Sequence, residues 1–447
     1  MSFAKKFEKI FKGLLPTPFT IAVLLTFFTF ILALFITQPK SEGSHILQLL
    51  QFWEQGIWHS PLLVFAMQMM LMLVLGHTLA LSKPINTLIE RGTKYCNTTA
   101  NAAAIITFFT LLVSFFNWGL GLIFGAIFAR KVGEHASKNN IQLNYPLIGA
   151  AGYSGLMVWH GGISGSAPIK IAEEGHFLAD KMGVISQAET IFSTMNISIS
   201  IVLLIVLPLL MYYLGKQNTG SILTLQSEEV SESKNITGAE KLDHSKIIAW
   251  ITGGIILLYA FYKTFILPDS ISLNVINPNY INLVLLGLAI VMHNNFFNFL
   301  KAVDGAIGGA SGILIQFPLY FGIMGIMNHS GMVQIMSDFF VSISNETTFP
   351  IFTFISAGIV NIFVPSGGGQ WAVQGPIIVE AATQLGVSIP KSVMALAYGD
   401  QLTNMLQPFW ALPLLGITGL KAKEILPYTL ILLLMGIMIF IGGLLIF

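Results

Sequence analysis

Val364-Pro365-Ser366-Gly367-Gly368-Gly369-Gln370-Trp371 sits at the centre of a stretch that carries no charged residue between Glu346 and Glu380. A helix crosses ~30 Å of hydrocarbon in roughly 20 residues, so this stretch is too long for one crossing. Its centre also resists helix, because proline removes a backbone donor and each glycine costs about 1 kcal/mol of helix propensity. The reading is helix, turn, helix, a hairpin over 347–385 that enters and leaves the membrane on one side. A second uncharged stretch, between Lys94 and Arg130, breaks at Asn117-Trp118-Gly119-Leu120-Gly121 and reads as a hairpin over 95–130.

The rest of the chain puts these hairpins in lipid. Of its 447 residues 54% are hydrophobic and only 10% charged, with a mean hydropathy of +0.75; a soluble domain carries about 25% charge. The formal net charge of +1 leaves no field to recruit nucleic acid, so none is expected as a partner. One cysteine, Cys96, excludes an internal disulfide and a cysteine-based metal cluster. No cofactor or structural metal is expected. Nine apolar runs are long enough to span: 18–37, 61–82, 146–169, 190–215, 247–267, 280–299, 305–327, 391–416 and 425–447. The first exceeds the apolar core of a cleaved signal segment. The expected fold is an all-α polytopic membrane protein with about nine transmembrane helices plus two re-entrant hairpins.

Charge placement tests the hairpins. With a cytoplasmic N-terminus and both stretches re-entrant, all cations but Lys40, Lys170, Lys181, Lys263 and Lys391 fall on the cytoplasmic side, 17 of 22, as the positive-inside rule asks. If 95–130 were a full span, Lys94 and Arg130 would face opposite sides. The C-terminus is then periplasmic. The halves also match: Asn117 with Asn361, Tyr153 with Tyr398, and Pro168 with Pro413, each pair about 245 residues apart. Residues 1–215 form a first repeat, 216–246 a polar cytoplasmic linker, and 247–447 a linking span plus a second repeat of inverted topology.

Inverted repeats with interrupted helices build the midplane sites of many secondary transporters, because non-helical backbone at that depth must line protein or a water-filled cavity. Four breaks occur: the two hairpin tips, Trp159 to Pro168 within an interrupted span 146–172, and Asn404 to Pro408 within an interrupted span 391–416. Half-helix N-termini favour anions and C-termini favour cations. The candidate carboxylate site is therefore Ser164, Gly165, Ser166, Ser366, Gly367, Gly368, Gly369, Gln370 and Gln407, with Trp159, Trp371 and Phe409 walling a short apolar tail. The candidate coupling-ion residues are Asn117, Gly119, His160, Gly161, Asn361, Asp400 and Asn404. The ion is Na⁺, held by carbonyl and amide oxygens, or H⁺, carried by His160 or Asp400. Structural readings stand beside these: glycine and serine commonly serve close helix packing, and His160 equally suits a hydrogen-bonded cavity wall.

The run from Val364 to Trp371, then Gln374-Gly375-Pro376, Ala397-Tyr398-Gly399-Asp400-Gln401 and Gln407-Pro408-Phe409-Trp410-Ala411-Leu412-Pro413, resembles the bacterial short-chain fatty acid uptake transporters of acetoacetate and butyrate degradation. Asn117-Trp118-Gly119 and Gly161-Gly162-Ile163-Ser164-Gly165-Ser166 fit the same family, and the similarity runs from the first span to the C-terminus. It implies an inner-membrane secondary carrier of short-chain fatty acids with ion-transporter superfamily architecture. That means ion-coupled symport, elevator-type movement of a transport domain against a scaffold, and commonly a homodimer. Asp400 departs from the longer Glu expected in relatives. Two other readings are weighed: a dicarboxylate or citrate carrier, which would want an arginine near the breaks, and an intramembrane serine protease, suggested by Gly152-Tyr153-Ser154-Gly155.

Overall fold

The computed structural model describes residues 17–39, 42–217, 220–222, 238–268 and 273–447. Lys5, Lys6, Lys9, Lys12, Lys40 and most of the linker lie outside them. The fold is almost wholly helical; one short antiparallel pair, Gln142–Leu143 with Ser221–Ile222, ties the described part of the linker to the loop before the first broken helix. Among the described residues seven helical segments are long and apolar enough to cross a membrane: Phe19–Ile36, Ser60–Ala80, Thr99–Phe116, Thr194–Gln217, Lys246–Phe265, Phe296–Ser330 and Ala422–Ile446.

Two of the expected runs divide differently. Residues 280–299 are not one helix: Pro278–His293 stops at Asn294, whose φ of 64° is left-handed, and the Asn295 side chain then caps Phe296–Ile307 through the Asn298 N–H at 2.8 Å. Asparagine takes both roles readily, since it tolerates left-handed backbone and its side chain substitutes for a missing helical acceptor. Residues 305–327 are likewise the end of that helix, a 3-10 turn at Gly308–Ala310, and Ser311–Ser330.

One order of elements occurs twice. An amphipathic helix (His45–Ile57; Phe296–Ile307) precedes a long apolar one (Ser60–Ala80; Ser311–Ser330) and a short one (Lys83–Thr93; Met332–Ile343). A helix–turn–helix follows (Thr99–Phe116 with Trp118–Lys138; Thr348–Phe363 with Gly367–Leu385), then a broken helix (145–170; 389–418) and a long closing helix (Thr194–Gln217; Ala422–Ile446). The amphipathic helix of each set packs on the long helix of the other. The amphipathic and short helices are additions to the sequence reading, because 11 to 13 residues with charges on one face fall below any spanning pattern. The first broken helix and the first half of the second, Ile389–Thr403, are buried almost along their length, whereas Pro408–Thr418 keeps one side outward with Leu412 exposed.

Candidate functional site

Each break has a local cause. Asn117 ends Thr99–Phe116 in extended backbone, and its Oδ1 accepts the Leu120 N–H at 2.7 Å to start the next helix. At the second tip Ser366 does the same, its Oγ accepting the Gly369 N–H at 3.2 Å. That bond leaves the Ser366 hydroxyl proton available, and the N–H groups of Gly367 and Gly368, first in their helix, have no intrahelical acceptor. The first broken helix runs Tyr145–Tyr153, tightens into 3-10 turns at Ser154–Met157 and Trp159–Gly161, extends at Gly162 and restarts as Ser166–Lys170. The second runs Ile389–Thr403, tightens at Asn404–Leu406, extends at Gln407 and restarts at Pro408, where a missing N–H costs nothing.

Buried hydrogen bonds join the breaks to one another. Trp118 N–H donates to Ser164 Oγ (3.0 Å) and Ile163 N–H to Phe115 O (2.7 Å), locking the first tip to the first broken helix. The matched tyrosines cross over. Tyr153 Oη donates to the Asn404 and Gln407 carbonyls (3.0 and 3.2 Å), while Tyr398 Oη donates to Asn196 Oδ1 (2.9 Å), whose amide donates to the Gly161 carbonyl (2.9 Å).

Where the four breaks meet there is one small cavity of ≈ 20 Å³, room for about one water. It is lined by Trp118 of the first tip, Leu156, Trp159 and Ser166 of the first broken helix, Ser366, Gly367 and Gly368 of the second tip, and Asn404 and Trp410 of the second broken helix; Met69, Ile313 and Phe317 close it. Trp118 stands edge-on to Trp410, ring centroids 5.3 Å apart, and tilted to Trp159 at 5.7 Å. No charged side chain lines it.

Behind Gly367 lies a buried acid–imidazole pair. His160 Nδ1 is 2.5 Å from Asp400 Oδ2, and His160 Nε2 accepts the Ala167 N–H at 3.0 Å. A backbone amide only donates, so Nε2 carries no proton; the ring proton sits on Nδ1 and points at the carboxylate. His160 is 0% and Asp400 1% exposed, and Asp400 Oδ1 has no partner, nor has Asn361 Oδ1 nearby on the chain of bonds that runs from Asn361 Nδ2 to the Asp400 carbonyl (2.6 Å). Gly367 makes the close approach feasible: a Cβ there would lie 2.7 Å from His160 Cε1 and 2.7 Å from Trp159 Cη2. The Trp159 ring stacks on the imidazole at 4.4 Å.

Of the carboxylate candidates, Trp159, Ser166, Ser366, Gly367 and Gly368 line the cavity. Ser164, Gly165, Gly369, Gln370 and Gln407 do not. Ser164 is the acceptor that joins the first tip, Gly165 packs on the His160 carbonyl, and Gly369 lies against Tyr320. Gln370 bonds Ala357 O and Gln374, and Gln407 bonds Asn361 O. Trp371 belongs to a separate core, facing Phe177 at 6.5 Å rather than the cavity, one helical turn beyond Gly367. The Phe409 side chain lies outside the described part of the structure. Among the ion candidates His160, Gly161, Asn361, Asp400 and Asn404 share one bonded cluster, whereas Asn117 and Gly119 pack apart from it, against Gly76 and Leu73. The sequence reading missed Trp118 and Trp410, although both stand beside a break. Ser154 of the protease-like motif donates its hydroxyl to Ala151 O at 2.7 Å inside its own helix.

A family model described as short chain fatty acid transporter matches residues 3–447. An Escherichia coli K12 protein provisionally named a short-chain fatty acid transporter is 36% identical over 440 residues, covering 97% of this chain and 96% of its own. A Haemophilus influenzae Rd protein with the same provisional name is 36% identical over 445 residues, covering 96% of each. The fold is that of the Alcanivorax borkumensis YdaH transporter, with a TM-score of 0.60 at 12% identity over 96% of this chain and 97% of that one. Neisseria gonorrhoeae MtrF, an efflux pump, superposes with a TM-score of 0.55 at 15% identity over 98% of this chain and 97% of its own.

Proposed function

Because the chain belongs to the short-chain fatty acid transporter family, and is a multi-pass membrane carrier rather than an enzyme, we propose that it moves short-chain monocarboxylates such as butyrate or acetoacetate across the bacterial inner membrane by cation-coupled symport. The carboxylate binds at the cavity where the four breaks meet. The observation that carries this reading is the cavity's chemistry: free N–H groups at Gly367 and Gly368, hydroxyls of Ser166 and Ser366, three tryptophans and no charged side chain. A helix N-terminus offers about half a positive charge. Once opened beyond the single-water space it has here, the cavity suits one carboxylate and a short apolar tail, and leaves a second carboxylate without a counter-charge, which disfavours a dicarboxylate or citrate.

Asp400 supplies the coupling. A buried carboxylate beside a neutral imidazole carries one uncompensated negative charge, at a desolvation penalty of several kcal/mol. A Na⁺ or H⁺ arriving at the unpartnered Asp400 Oδ1 neutralises it, and Asn361 Oδ1 is a second oxygen without a donor. The recurring order of elements supports an inverted repeat with a cytoplasmic N-terminus and a periplasmic C-terminus. In that arrangement the two helix–turn–helix units are re-entrant hairpins, carried with the broken helices as a transport domain that moves against the remaining helices. We take the working assembly to be a homodimer, which the mass of the purified particle tests.

Tryptophan fluorescence tests the site, since Trp118, Trp159 and Trp410 face the cavity. Butyrate should give a saturable change in the wild type that Ser366→Ala weakens and that succinate does not reproduce. A wild-type protein whose fluorescence ignores butyrate would remove the proposed site.

A further inference from the structure

Among the described residues one lysine or arginine is buried: Lys170, the last residue of helix Ser166–Lys170, 2% exposed. Its Nζ lies 2.5 Å from Glu173 Oε2, 3.2 Å from Gln68 Oε1 and 5.4 Å from the centre of the Phe65 ring. The other carboxylate oxygen, Glu173 Oε1, accepts from Gln68 Nε2 at 2.7 Å and from Asn279 Nδ2 at 3.0 Å. One carboxylate thus receives an ammonium and two amide donors from three separate elements, with the Phe65 ring, 6.1 Å from that of Phe177, against the ammonium.

Beyond its Cα, the Glu173 side chain is a propionate: two methylenes and a carboxylate. The protein therefore already holds a short-chain carboxylate in a built site, tethered to the backbone. The donor's position ties it to the cavity. Ser166, which lines the cavity, is four residues earlier on the same helix as Lys170, and Phe65 Cζ lies 3.0 Å from where a Gly368 Cβ would stand. Resting on the proposed substrate class, we infer that the Lys170, Gln68 and Asn279 donors form a second, outer subsite for a free short-chain monocarboxylate, occupied by Glu173 until substrate displaces it.

The physics of exchange favours this over simple breakage. Stripping a partner from a buried charge is strongly destabilising, whereas replacing one carboxylate by another keeps Lys170 paired throughout. Glu173 is the member able to leave, its side chain 14% exposed against 3% for Lys170. Its departure unties the Glu173 segment from Gln68 of helix Ser60–Ala80 and Asn279 of helix Pro278–His293, while the arriving carboxylate takes up the same donors.

Chemical rescue tests the inference on the full-length protein in detergent. Glu173→Ala should lower Tm, and propionate at ten times its half-saturating concentration should raise it again by about 1–2 °C. That rise should exceed the one in K170M/E173A, which keeps only the cavity, and propionamide or chloride should not reproduce it. Should Glu173→Ala fail to fold, Glu173→Gln preserves the side-chain volume and should show the same selective rise. Equal rises with propionamide, equal rises in the double variant, or no rise in either single variant would overturn the subsite. Butyrate binding by tryptophan fluorescence separates the two proposals. Rescue without wild-type butyrate binding refutes the transport reading alone, and binding without rescue refutes the outer subsite alone.

Discussion

His160 Nδ1 and Asp400 Oδ2 lie 2.5 Å apart although 240 residues separate them in the chain. One comes from each broken helix, so this bond fixes the two breaks to each other directly behind the cavity wall. Asp400→Asn keeps the shape and removes the charge that a coupling cation would neutralise. Gradient-driven accumulation of butyrate in proteoliposomes should fall at least ~10-fold, the worth of about 1.4 kcal/mol, while exchange between equal concentrations on both sides persists. Loss of both activities together would make the pair structural only.

Gly367→Ala should cut uptake sharply. The new methyl would meet His160 Cε1 and Trp159 Cη2 at 2.7 Å, well inside van der Waals contact, and overpacking of this kind costs about 1–3 kcal/mol. Gly416→Ala is the control, because a Cβ there meets nothing within 4 Å. The two variants should differ by roughly 10- to 100-fold in butyrate uptake at equal expression, a factor of 10 per 1.4 kcal/mol.

Trp410→Ala should change which substrate is preferred. Its ring, edge-on to Trp118, closes one wall of a cavity that holds about one water. Removing it makes room for added methylenes, each worth about 0.8 kcal/mol when buried. Competition against labelled butyrate should move in favour of hexanoate by about tenfold; an unchanged order of competitors would remove Trp410 from the site.

Cys96 provides a stability probe. It is fully buried between helices Lys83–Thr93 and Thr99–Phe116, outside both, and burial pushes its thiol up to about 12. The thiolate is the reactive form, so folded protein should resist maleimide at pH 8 and react only on unfolding. Labelling of this single cysteine against temperature then reads the transition, and rapid labelling of folded protein would contradict its burial.

The helix breaks were legible because proline, glycine and capping residues are local signals: Asn117, Ser366 and Pro408 mark the positions where helices actually stop or start. The pairing of Tyr153 with Tyr398 was legible from order alone, and the structure gives it content in their crossed hydrogen bonds. Which side chains face the cavity was not legible. Trp159 and Trp371 look equivalent beside glycine-rich breaks, yet Trp159 faces the cavity while Trp371, one turn beyond Gly367 on its own helix, enters a separate core. The Lys170–Glu173 clasp was hidden for a similar reason, since a lysine three residues from a glutamate reads as solvated surface until the fold buries it.

The central claim is carriage of a short-chain carboxylate coupled to a cation. Accumulation of labelled butyrate in proteoliposomes, under Na⁺ and pH gradients imposed separately and with protein-free liposomes correcting for passage of the protonated acid, tests it most directly. The account predicts that one gradient drives accumulation above the protein-free level and that Asp400→Asn abolishes it. No accumulation above that level under either gradient would contradict the account.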